Sequence, residues 1–160
     1  MSKKDDKTNV MRLLEQKKIS YTGYSIDNSS TNGIEVAQQL GHNVDQVFKT
    51  LVTIAPKSKQ NYVFVIPVAS ELDLKKAAKA VNEKSIEMIK QKELLPLTGY
   101  IHGGCSPIGM KKVFPTVIHE TALAFDTIFF SGGKIGHQVE VNPNDLNKII
   151  KVDFKDLTVS

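Results

Sequence analysis

The stretch QVFKTLVTIAPKSKQNYVFVIPVA (residues 46–69) contains two runs of β-branched and aromatic residues on either side of a polar segment, PKSKQ. Such residues favour strands, and a short polar segment between two such runs is typical of a hairpin loop. The pattern predicts a β-hairpin in the core. We expect the rest of the chain to pack around this hairpin.

Helical patterns occur on both sides of the hairpin. KTNVMRLLEQKK spaces its apolar residues as one face of an opening helix. STNGIEVAQQLG predicts a second helix, which Thr31 or Asn32 caps and Gly41 ends. LDLKKAAKAVN predicts a third helix, and IEMIKQKELL predicts a short fourth one.

The second half of the chain contains three short strand candidates, PTVIHE, DTIFFSGG and HQVEV. NPNDLNKIIKV predicts a closing helix, which Asn142 caps and in which Pro143 takes the first turn. Two prolines and four glycines between Pro96 and Gly109 predict a long shaped loop. Because strands and helices mix without strict alternation, we expect an α+β fold built round a mixed sheet, as one domain over residues 1–160.

The composition limits the class of protein. With 41% hydrophobic and 24% charged residues, the chain is typical of a globular protein. It has no long apolar run and no secretory leader pattern, so we expect no membrane partner and a cytoplasmic location. The single cysteine excludes an internal disulfide, in agreement with a reducing compartment.

The formal net charge of +4 and the pI near 9.1 favour a polyanionic partner at low salt. The basic residues come in pairs. These pairs are Lys3/Lys4, Lys17/Lys18, Lys75/Lys76 and Lys111/Lys112. They either form one basic face or belong to ordinary solvated surface.

The segment GGCSPIG, residues 103–109, carries the only cysteine, Cys105. A nucleophilic cysteine needs a lowered pKa and exposure, whereas a cysteine beside glycines is commonly a packing residue. Gly103 and Gly104 free the backbone to point N–H groups at a phosphate or an oxyanion, although such loops also arise for steric reasons.

Lys49 lies in the middle of a predicted strand, where it either reaches a pocket as a fixed positive charge or extends from a sheet edge into solvent. The glycine-rich segment SGGKIG (131–136) predicts a hairpin connection. The four histidines lack the spacing and the companion carboxylates of a metal site, so we predict no structural or catalytic metal.

Five blocks in register resemble the YbaK/EbsC family, also called the YbaK/ProRS-associated domain: VFKTLV, IPVASELDLKKAAKA, TGYIHGGCSPIGMKK, FPTVIHE and IFFSGGKIGHQVEV. The resemblance implies a mixed, strongly curved sheet flanked by helices. It also implies a trans-editing aminoacyl-tRNA deacylase without a cofactor, which removes cysteine from tRNA(Pro). In this mechanism the substrate's own thiol attacks the ester carbonyl and expels the terminal ribose, and the cysteine leaves as a cyclic thiolactone.

Position by position, the resemblance implies that Lys49 holds the acceptor end and acts as the catalytic residue. It places Cys105 at a variable position of the glycine loop. The remaining residues that it implies contact the substrate are Tyr100, Gly103, Gly104, Ser106, Pro107, Gly109 and Gln138.

Two departures from the family pattern leave the substrate open. Ile26 stands where a tyrosine is expected, with Tyr21 and Tyr24 nearby, and Gln138 stands where an acidic residue is expected. A deacylase for another small aminoacyl-tRNA, or a non-catalytic module that binds the acceptor end or a synthetase, remains an alternative. Since no anticodon-reading segment is apparent, the resemblance implies prolyl-tRNA synthetase as a partner.

Overall fold

The computed structural model describes residues 7–26 and 33–159, and a mixed five-stranded sheet forms its centre. Its strands, in spatial order, are β4 (Glu87–Met88), β2 (Phe48–Ile54), β3 (Asn61–Pro67), β5 (Thr116–His119) and β8 (Val152–Lys155). The predicted hairpin is confirmed, since β2 and β3 pair antiparallel, whereas β3–β5 and β5–β8 pair in parallel.

A second sheet has three antiparallel strands, in the spatial order β1 (Tyr21–Ser25), β7 (His137–Val141) and β6 (Ile128–Ser131). Strands β6 and β7 are the two remaining predicted strands, whereas β1 was not predicted from the sequence. An isolated bridge between Val47 and Phe129 joins it to the larger sheet. The expected α+β class is therefore confirmed, but with two sheets in place of one, and the strong curvature stays a prediction.

In the part of the chain that the structure describes, four α-helices cover the sheets: α1 (Asn9–Gln16), α2 (Gly33–Leu40), α3 (Leu74–Ala80) and α4 (Gln91–Thr98). The hydroxyl of Thr8 caps α1 by accepting the N–H of Met11. Gly41 ends α2 with a φ of +73°, as predicted. The predicted caps of α2, Thr31 and Asn32, lie outside the described residues.

The boundaries of α4 differ from the prediction. Glu87–Met88 forms a strand, and the helix begins only at Gln91. The helix continues through Pro96, although a proline at this position removes one hydrogen bond and crowds the carbonyl of the residue four positions earlier; only two helical residues follow it. Gly99, with a φ of +85°, ends it, so the long loop begins at Gly99.

The predicted closing helix is also corrected. Asn142 caps it and Pro143 stands at its start as expected, but Pro143–Lys148 is a 3₁₀-helix. Ile149 and Ile150 lie in a turn after it, and Val152 begins β8, which pairs with β5 at the edge of the sheet. The helical spacing of Ile149 and Ile150 with the preceding residues concealed this change to strand.

Strand β3 explains where the core lies. Val63 and Val65 join one hydrophobic cluster, which includes α1 and the smaller sheet. Phe64 and Ile66 point the other way into a second cluster, which includes α3. Because both faces of β3 are covered, its sequence is continuously apolar. Among the described residues, no helix is long and apolar enough to span a membrane.

Candidate active site

A cavity of about 390 Å³ lies where α2, strand β2, the loop after α4 and the β6–β7 turn meet. This is within the range of pockets that hold small ligands. Its apolar wall includes Ile34, Val36, Val47, Phe48 and Leu51. Its polar wall includes Lys49, Thr50, His102, Ser131, His137 and Gln138.

Lys49 lies within β2, opposite Ile66 in the sheet register, and its side chain is half-buried. Burial lowers the pKa of its ammonium group, and the negative charge of Glu71 partly opposes this effect. Within residues 7–26 and 33–159, its nitrogen makes no hydrogen bond and no ion pair. The cavity therefore has a positive charge that is available to a ligand.

The predicted glycine loop forms one side of the cavity through Gly103, which has a φ of +89°. Gly104 is buried beneath it, where a Cβ atom would come within 3.2 Å of the backbone nitrogen of Ile135. Ser106 is fully buried, and its hydroxyl accepts the N–H of Ile108. Close packing on the β6–β7 turn thus fixes the position of the loop.

Three other predicted residues lie on the far side of this loop. The hydroxyl of Tyr100 donates to the carbonyl of Ile108. Pro107 and Gly109 line a different cavity, of about 240 Å³. A Cβ atom on Gly109 would lie 2.7 Å from the Tyr100 hydroxyl.

The structure therefore brings together Lys49, Gly103 and Gln138 from the predicted set. The predicted substrate contacts of the other five residues, which do not line this cavity, stay predictions: Tyr100, Gly104, Ser106, Pro107 and Gly109.

Cys105 faces the same cavity, but its thiol is poorly suited to nucleophilic attack. Burial raises the pKa of the thiol to about 12. The reactive form of cysteine is the thiolate, and almost none is present near neutral pH at such a pKa. Cys105 instead packs against the main hydrophobic cluster.

Gln138 is buried at 6% exposure, and its side-chain oxygen lies 3.0 Å from Nδ1 of His42. His42 stacks on Phe129, with ring centroids 3.7 Å apart. Sequence reasoning missed His42, since the pair is 96 residues apart. Ile26, the other departure, donates its N–H to the carbonyl of Gly136, which lines the cavity.

The lysine pairs do not share one environment. Lys17 and Lys112 line the 240 Å³ cavity. Lys76 forms an ion pair with Asp156 at 3.0 Å. The pair Lys3/Lys4 lies outside the described residues, so a single basic face stays a prediction. In the described part of the chain, no three His, Cys, Asp or Glu side chains are placed to hold a metal ion.

The sequence also matches a known protein family. The family model of the aminoacyl-tRNA editing domain matches residues 29–149. A protein of Enterococcus faecalis (strain ATCC 700802 / V583), EbsC, is 44% identical over 158 residues, which are 98% of this chain and 96% of that protein. EbsC is named as a candidate Cys-tRNA(Pro)/Cys-tRNA(Cys) deacylase.

Two crystal structures share the fold. The hypothetical protein APE2540 matches with a TM-score of 0.87 at 19% identity, over 95% of this chain and 100% of that one. A candidate trans-editing enzyme for prolyl tRNA synthetase matches with a TM-score of 0.79 at 24% identity, over 96% of this chain and 99% of that one.

Proposed function

The chain belongs to the aminoacyl-tRNA editing domain family, and from that membership we propose that it is a trans-editing deacylase that removes cysteine from wrongly charged tRNA(Pro). Membership confirms the resemblance drawn from the five sequence blocks. The choice of cysteine is supported by EbsC, which is named as a candidate deacylase for cysteinyl-tRNA.

The observation that carries this proposal is the ammonium of Lys49, which has no partner in the described part of the chain and lies in a walled cavity of about 390 Å³. A half-buried cation without a partner costs solvation energy, which a bound oxygen or phosphate recovers. Lys49 would hold the terminal ribose, its phosphate or the ester. The backbone around Gly103 and the Gln138 side chain would contact the aminoacyl group.

The chemistry requires no protein nucleophile. The cysteinyl sulfur forms a bond to its own carbonyl carbon, the ester C–O bond breaks, and the thiol proton goes to the released ribose hydroxyl. The residues of the cavity contribute by holding the substrate in the reactive geometry and by stabilising the charge that develops on the carbonyl oxygen. The protonated thiol of Cys105 takes no part.

This mechanism solves a problem of selectivity. Binding alone distinguishes small side chains by only about 1–3 kcal/mol per methylene group. A reaction that uses the substrate's thiol rejects alanine and proline because they lack the attacking atom. Discrimination then depends on chemistry more than on the fit of the side chain.

The test is release of labelled amino acid from tRNA(Pro) charged separately with cysteine, S-methylcysteine, alanine and proline. Release of cysteine alone supports the proposal, since methylation removes the nucleophilic thiol. Release of alanine keeps the deacylase class but moves the substrate. Tight binding without release from any of the four tRNAs contradicts the enzymatic proposal and indicates a non-catalytic module.

We further propose that residues 1–160 act as one domain in the cytoplasm and that prolyl-tRNA synthetase supplies selectivity for the tRNA. The cavity of about 390 Å³ leaves most of a tRNA outside it. Co-migration of the protein, the synthetase and tRNA(Pro) in gel filtration at micromolar concentration would support this. Separate elution of the protein under the same conditions would contradict it.

A further inference from the structure

His42 and Gln138 form a buried pair at the edge of the cavity, and we propose that His42 is a positioning residue that turns the amide N–H groups of Gln138 toward the substrate. Gln138 then recognises an oxygen of the aminoacyl ester or of the terminal ribose, and not the amino group. This inference rests on the proposed function, whose substrate it describes more closely.

The His42 ring is held in place on several sides. It stacks on Phe129 with an interplanar angle of 14°, and the edge of Tyr24 meets it at a centroid distance of 4.5 Å. Tyr24 is fixed in turn, since its hydroxyl donates to Glu140 at 2.7 Å. A ring with these contacts has little freedom to rotate, so its nitrogens have fixed directions.

The hydrogen-bond partners decide which ring nitrogen carries the proton. Nδ1 lies 3.0 Å from Oε1 of Gln138. Nε2 is buried and has no hydrogen-bond partner within the described ranges. An orphaned buried N–H is rarer in proteins than an under-satisfied acceptor. The proton therefore belongs on Nδ1, where it donates to Gln138, and burial, which lowers the pKa of His42, keeps the ring neutral.

The direction of this bond settles what Gln138 offers to a ligand. Its oxygen accepts from His42, so its nitrogen, with two N–H groups, is the end that remains for the cavity that Gln138 lines. N–H groups bind carbonyl and hydroxyl oxygens and cannot accept a hydrogen bond from a substrate ammonium. Lys49 and Gln138 thus place donors in the polar wall that suit ester and ribose oxygens.

The first experiment reads the tautomer directly and needs no activity. Two-bond ¹H–¹⁵N correlation spectra of the folded wild type should show a protonated Nδ1 and an unprotonated Nε2 on His42. The preference should weaken in Gln138→Ala, which removes the acceptor. A wild-type spectrum with the proton on Nε2 would overturn the proposal.

The second experiment uses matched variants and the release of labelled cysteine. His42→Leu removes the donor, and we expect kcat to fall about tenfold, the loss of one ordinary hydrogen bond. His42→Asn places an amide N–H near the position of Nδ1 and should restore most of that loss. Gln138→Glu keeps an acceptor for His42 but replaces the amide N–H groups that face the cavity by a carboxylate oxygen, so kcat should fall.

A structural role alone would lower the thermal midpoint and leave kcat unchanged in folded His42→Leu, and that result would overturn the proposal. If His42→Leu does not fold, the wild-type tautomer and the Gln138→Glu rate decide the matter. Absence of release by the wild type would defeat the proposed function, whereas the tautomer experiment would still test the arrangement of His42 and Gln138.

Discussion

Cys105 should be nearly inert to alkylation in the folded protein. Burial raises the pKa of its thiol from 9.0 to about 12, and three pH units correspond to about a thousandfold less thiolate at neutral pH. Because the thiolate is the reacting form, iodoacetamide should modify the native protein about a thousand times more slowly than the urea-unfolded chain. The rate should also keep rising tenfold per pH unit beyond pH 9, where an ordinary thiol levels off.

The assay follows the mass of the protein over time at pH 7.5, with and without urea. Cys105→Ala provides the control for modification at other residues, and it should retain the rate of deacylation. A native alkylation rate within tenfold of the unfolded rate would refute the reasoning. Loss of activity in step with alkylation, and in folded Cys105→Ala, would instead identify a thiol enzyme.

Three further variants, the first with a matched control, test the loop and the pH response. Gly104→Ala should destabilise the protein by about 1–3 kcal/mol and slow deacylation, because its Cβ atom meets backbone of the β6–β7 turn at 3.2 Å. Gly23→Ala should cost less, because its Cβ atom would crowd only the flexible end of Met11 and would lie at an ordinary 3.8 Å from the Tyr21 ring. Tyr100→Phe should cost about 1–2 kcal/mol by leaving a loop carbonyl without its donor. His119 accepts the N–H of Leu157 on Nδ1, and burial lowers the pKa of this histidine. The folded state therefore disfavours its protonation, so this stabilisation is present above about pH 6.5 and is lost as the pH falls below it. His119→Asn, which keeps an acceptor near Nδ1 but cannot titrate, should flatten that loss.

Urea unfolding at several pH values measures all of these changes in the free energy of unfolding. The exposed His102, replaced by Asn, provides a matched control for the change of a histidine to asparagine. An unchanged acid slope in His119→Asn, or equal costs for Gly104→Ala and Gly23→Ala, would contradict the corresponding explanation. Wild-type stability in Tyr100→Phe would show that the loop carbonyl finds another donor.

The sequence was most informative where local patterns and tertiary packing agree. The central hairpin was predictable because both of its strands are rich in β-branched and aromatic residues. Strand β1 was not, since the sequence YTGYS has little apolar character and only its two tyrosines are partly buried. Strand β8 was concealed by the helix-like spacing before it. Its place in the fold comes from pairing with β5, a long-range contact that no local pattern encodes.

The residues of the candidate site were likewise predictable only where a local pattern marks them. Lys49 stood out because a lysine in a strong strand needs a special reason, and the glycines marked a shaped loop. The sequence did not show which residues of that loop face the cavity. Gly103 meets the cavity, whereas Pro107 and Gly109, a few residues later, line another one. The partnership of His42 with Gln138 joins two elements that are brought together only by the fold.

The most direct test of the account is single-turnover release of labelled cysteine from cysteinyl-tRNA(Pro) by the wild type and by Lys49→Ala. Loss of a charged hydrogen-bond donor should lower the rate about 10- to 100-fold. The thermal midpoint should not fall, because the half-buried ammonium has no partner among the described residues. Lys155→Ala, an exposed lysine on β8, is the matched control and should keep the wild-type rate. Release by folded Lys49→Ala within twofold of the wild type would contradict the account.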